Sequence, residues 1–102
     1  MMGPLLSYRD DEDLERLLSA VRVAGIDVAE EPAKENQRSF WFRRGWGLIH
    51  GTASTEWGEM SRTPAAYFGF GHPFNPFLWW ADERLLRVIK RTFTRNGSKE
   101  IN

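Results

Sequence analysis

His50 and His72 are the two histidines of the chain, and Glu56 and Glu59 lie between them. Two imidazoles and a carboxylate brought together would make a general acid–base pair or a two-His, one-carboxylate metal site. The spacing does not impose this, because neither His-x3-His nor His-Glu-x-x-His occurs. Nucleophilic catalysis has less support. Cysteine is absent, and Ser39, Ser54 and Ser61 lack the Gly-x-Ser-x-Gly elbow that would expose a serine on a strand-to-helix turn. Gly45-x-Gly47 and Gly69-x-Gly71 are too short to cradle a phosphate and do not run on to Lys-Ser or Lys-Thr. No catalytic residue, metal ligand or cofactor is therefore assigned. His72 stays a candidate binding residue, since it precedes a helix N-terminus whose free amides favour an anion.

The second group able to do chemistry is aromatic and cationic. Twelve of the fourteen aromatic residues fall between Phe40 and Trp80. A domain of 102 residues has little core in which to hide so many rings. Arginines interleave with them in Arg38-Ser39-Phe40-Trp41-Phe42-Arg43-Arg44-Gly45-Trp46, and again around Trp80, Arg84, Arg87 and Arg91. Rings and guanidinium groups so mixed can stack on bases and hold phosphates, or form the anchor of a protein interface, where Trp and Arg are enriched. The bland alternative is that Phe40 and Phe42 are core while the arginines reach past them to water.

The elements that position these residues can be read in turn. Leu14, Leu17, Leu18 and Val21 recur on one helical face, predicting a helix over 10–24 that is capped by the acids at 10–13 and closed by Gly25-Ile26. A short strand is expected over 26–29, and a loop containing Pro32 over 30–37. Period-two alternation over 39–43 and 48–52, around Arg44-Gly45-Trp46-Gly47, predicts a hairpin. Residues 53–64 read as an irregular connection or a further strand, and 65–70 as a strand. Asn75-Pro76 starts a helix that runs to Arg95, with Leu78, Leu85, Ile89 and Phe93 inward and Trp80, Arg84, Arg87 and Arg91 outward. Asp82 falls inside the apolar sector of that helix. The tail 97–102 is expected to be frayed.

The expected fold is α+β: one domain over 1–102, an antiparallel sheet of three to five strands, and both helices on one face in the order α-β-β-β-β-α. The other sheet face is left bare, and surplus aromatics should show there. Net charge is zero, which argues against dominant nonspecific nucleic-acid binding. Yet residues 1–35 hold nine acids and four bases, whereas 36–102 hold five acids and ten bases, which leaves room for a basic face. Residues 1–6 have no basic start or long apolar run, and no apolar run approaches the ~20 residues of a membrane span. A cytoplasmic protein with no membrane association is expected.

These readings favour a small non-enzymatic interaction domain whose partner is another protein or a second copy of itself. The residues expected to make the contact are Trp41, Arg43, Trp46, Trp57, His72, Trp80, Arg84 and Arg87. The alternative is a small-ligand binding protein or simple enzyme with a pocket of Trp41, Trp46, Trp57 and Tyr67 and His50 or His72 as its polar group. The second alternative is a single-stranded nucleic-acid binder working through the hairpin.

Overall fold

The structure is a computed structural model that describes residues 5–54, 66–71 and 82–101. In chain order these residues form β1 (Leu5–Tyr8), α1 (Asp11–Val23), β2 (Asp27–Glu31), β3 (Gln37–Arg44), β4 (Gly47–Ser54), β5 (Ala66–Gly71), α2 (Asp82–Arg95) and β6 (Lys99–Ile101). The chain is thus α+β, with a six-stranded antiparallel sheet in the order β2-β3-β4-β5-β1-β6.

Local chemistry accounts for the elements that the sequence predicts. The Asp10 side chain caps α1 by accepting from the Asp13 amide at 2.9 Å. Gly25 takes φ 91°, its amide reaches Arg22 O and the Ile26 amide reaches Val21 O, closing the helix in a Schellman turn. Asn96-Gly97 closes α2 in the same way, with Gly97 at φ 114°. In the β3–β4 hairpin Arg44 pairs with Gly47, so the loop is Gly45-Trp46 alone. Gly45 at φ 59° adopts the positive dihedral that the first position of a primed turn needs.

Three expectations are corrected. The sheet has six strands rather than three to five, and two of them were missed. β1 is four residues long and β6 three, too short to show a period. They form because β1 lies between β5 and β6, with Leu6 opposite Phe68 on one side and Glu100 on the other. The segment read as a frayed tail therefore supplies an edge strand, which Lys90 also ties to α2 through Glu100 at 2.7 Å. The loop read over 30–37 is shorter, since Glu30 and Glu31 belong to β2 and Gln37 to β3. Residues 72–81, including the predicted helix start at Asn75-Pro76, lie outside the described residues.

The core lies between the sheet and the two helices. Leu14, Leu17, Leu18 and Val21 of α1 and Leu85, Ile89 and Phe93 of α2 are buried with Leu6, Phe40, Phe42, Ile49, Phe68 and Phe70 of the sheet. Phe68 is the hub. Its ring centroid is 4.9 Å from Phe70, 5.2 Å from Phe93, 5.8 Å from Phe42 and 5.9 Å from Phe40. The gap that admits these rings is Gly51, where a Cβ would fall 2.4 Å from the Phe68 ring and 2.9 Å from that of Phe42.

Two ionic ties fasten α1. Asp13 is buried and accepts from the Arg9 amide at 3.1 Å and from Arg16. Burial alone would raise its carboxyl; the Arg9 amide and the Arg16 guanidinium outweigh this and hold it below its ordinary 3.8. Arg38 binds Glu30 through two hydrogen bonds of 3.0 and 2.9 Å and Glu15 of α1 through a third of 2.6 Å, with its guanidinium 5.3 Å from the Phe40 ring centre. The Glu30 bonds, then the Glu15 bond, push its pKa up further.

Gly51→Ala should destabilise the fold by about 1–3 kcal/mol through overpacking, although alanine is ordinarily the better strand residue. Phe68→Ala should cost about 3–5 kcal/mol. Urea denaturation checks both. Asp13→Asn should cost about 1–3 kcal/mol at neutral pH. Because the folded carboxyl is depressed, its contribution is whole above 3.8 and is lost as pH falls through the folded value. Stability of the Asn variant should therefore fall less steeply with acid, as measured by thermal melts across pH 2–6.

Candidate functional site

Strand parity sorts the sheet residues into two faces. Val28, Phe40, Phe42, Ile49, Phe68 and Phe70 point to the helices. Trp41, Arg43, Leu48, His50, Thr52, Tyr67 and Gly69 lie on the opposite face, where no described element covers them. Trp41 therefore sits on the face that no described element covers.

On that face the register places Ala29, Trp41, His50 and Gly71 in one row, with Glu31 one row along. Trp41 Nε1 donates to Glu31 Oε2 at 2.9 Å, and His50 Nε2 lies 3.0 Å from Glu31 Oε1. The Trp41 and His50 rings stand 4.7 Å apart. A carboxylate can only accept, so this contact places a hydrogen on His50 Nε2. The Trp41 hydrogen bond is the main cause holding Glu31 below its ordinary 4.5; desolvation opposes it and His50 adds to it. The cluster joins the outermost strand β2 to β3 and β4 through side chains. Glu31 gave no sign of this role in the sequence, because its partners are 10 and 19 residues away. Among the described residues no group of three His, Cys, Asp or Glu side chains is arranged to hold a metal ion.

The second candidate lies at the end of the hairpin, on the helix side. Arg44 shares parity with Phe40 and Phe42 and so faces α2, while Arg43 faces the bare side between Asp27 and Leu48. Arg44 and Gly47 form one wall of a groove of about 570 Å³, with Arg84, Arg87 and Arg91 along the other and Leu85 and Val88 between them. Arg87 is 3.9 Å from Glu83, both well exposed. Among the described residues, no carboxylate pairs with Arg44, Arg84 or Arg91. Trp46, in the turn between Arg44 and Gly47, is 91% exposed.

The structure therefore divides the expected contact residues. Trp46, Arg84 and Arg87 belong to the hairpin end and the neighbouring face of α2. Trp41 and Arg43 lie on the other side of the sheet, so the five described residues fall on two surfaces. This follows from parity: adjacent strand residues point to opposite faces, and Arg44 joins the helix arginines. Trp57, His72 and Trp80 lie outside the described residues, as do Glu56, Glu59, the 55–65 connection and the Asp82 side chain. Of the described members of the alternative's aromatic pocket, Trp41 and Tyr67 share the face opposite the helices and Trp46 is at the hairpin tip. Arg38, which the nucleic-acid reading would use, is occupied by Glu15 and Glu30. No protein-family model matches the chain, and a search of curated proteins finds no match.

Trp41→Phe keeps a ring beside His50 but removes the indole N–H. The Glu31 carboxyl should then rise toward 4.5, as followed by side-chain carboxyl NMR against pH. Because the folded value is depressed, the tie to β2 is present above 4.5 and is lost as pH falls through the folded value.

Proposed function

We propose that this chain is a small non-enzymatic interaction domain that holds a protein partner, or a second copy of itself, through Trp46 and the arginines at the hairpin end and on α2. The observation that carries this reading is the 91% exposure of Trp46 beside a groove bearing four arginines. An indole left in water forgoes up to about 4–6 kcal/mol of burial free energy, part of which a partner would recover after the cost of association. The hairpin turn holds the ring at the surface, so little order has to be imposed on binding. A cytoplasmic setting accords with a chain that lacks cysteine and has no membrane-length apolar helix among its described residues.

A second reading rests on Glu31, Trp41 and His50. A carboxylate that orients an imidazole, with a ring beside it, is an arrangement that small-ligand sites and general bases use. It ranks second because the same three side chains have a sufficient structural task in fastening β2.

Photo-crosslinking from position 46 tests the first reading. A benzoyl-phenylalanine at Trp46, irradiated in extract of the native host, should yield a specific protein adduct. The same probe at Val23, 89% exposed on α1, should not. Trp46→Ala should leave stability within about 0.5 kcal/mol. No adduct from position 46, together with a monomer in sedimentation velocity, would defeat the reading.

A further inference from the structure

The groove beside Trp46 has a chemistry that narrows its partner. Arg84, Arg87 and Arg91 fall within a sector of about 60° on α2 and span about 10 Å along its axis. They border Val88 and Leu85, and Arg44 stands on the opposite wall. The ligand side must therefore supply several negative charges at intervals of about 4.5 and 6 Å, with apolar atoms between them to cover Val88. An α-helix repeats these intervals at positions i, i+3 and i+7. A nucleic-acid strand would meet the charges, but it has no use for an apolar floor and would call for successive stacking rings, of which the described surface here offers Trp46.

Resting on the interaction reading above, we infer that the groove between the β3–β4 hairpin end and α2 docks an acidic amphipathic helix of another protein. Carboxylates on one stripe of that helix pair with Arg84, Arg87, Arg91 and Arg44. An apolar residue beside the stripe covers the half-buried Val88, and Trp46 closes over the end. Arginine suits this task, because its planar fork can take a carboxylate through two hydrogen bonds. Those at 44, 84 and 91 have no competing acid among the described residues.

The test uses the full chain and a labelled 15-residue helical peptide with Glu at i, i+3 and i+7 and Leu at i+4. The controls are a scramble of equal composition and a 15-nucleotide oligothymidine. Anisotropy should show that the patterned peptide binds at least about tenfold tighter than its scramble. Arg87→Glu/Arg91→Glu should weaken it by at least about tenfold, with far-UV circular dichroism unchanged. Equal binding of the scramble, indifference to the double charge reversal, or preferential binding of oligothymidine at the same residues would overturn the inference. If crosslinking from position 46 captures a partner while the patterned peptide fails, the interaction reading stands and the acidic helix is wrong. If the crosslink and self-association both fail, the interaction reading is itself at fault.

Discussion

The absence of a side chain at Gly51 is the constraint on which the rest of this structure depends. Phe68 and Phe42 occupy the space that a Cβ would take. Phe68 in turn touches Phe40, Phe70 and Phe93, so β3, β5 and α2 meet over a single backbone position in β4. Interiors pack to crystal-like density, and five phenylalanines cannot converge there unless one strand yields room. Phe93 is the contact that turns α2. With Phe93, Ile89 and Leu85 buried against the sheet, Arg84, Arg87 and Arg91 fall on the exposed side of α2, where they share a groove with Arg44.

Zero net charge conceals two different uses of charge. In the first half of the chain several acids are engaged at home. Asp13 holds Arg9 and Arg16, Glu15 and Glu30 share Arg38, and Glu31 is bound by Trp41 and His50. In the second half Lys90 has Glu100, but Arg44, Arg84 and Arg91 have no carboxylate partner among the described residues. A neutral sum thus coexists with a locally basic groove. Whole-chain charge reports on solubility and long-range steering, whereas recognition depends on the charges left over after internal pairing.

The helices were legible because each repeats a strong local signal. The Leu14, Leu17, Leu18 and Val21 stripe is buried as its spacing requires, and Asp10, Gly25 and Gly97 cap as their types require. The β3–β4 hairpin was legible from alternation around Gly45. The strands β1 and β6 were not, since three or four residues carry too little periodicity and owe their form to a ladder partner dozens of residues away. Phe68 was visible as an aromatic in a strand, but its place as hub follows from the β4–β5 register, which no local pattern contains.

By itself the sequence determined the α+β class, the two faces of α2 and the turn that carries Trp46, because helix period, strand alternation and glycine dihedrals are local properties. Tertiary structure alone decided which charges remain free. Arg38 and Arg43 resemble Arg44 in the sequence, yet the first is spent on Glu15 and Glu30, the second points to the bare face, and only the third meets the arginines of α2. Likewise Trp41 and Trp46 sit in the same hairpin, but cross-strand pairing brings Glu31 and His50 to the first and nothing described to the second. Pairing across the sheet joins residues that are remote in the chain, and so it assigns one tryptophan to structure and leaves the other at the surface.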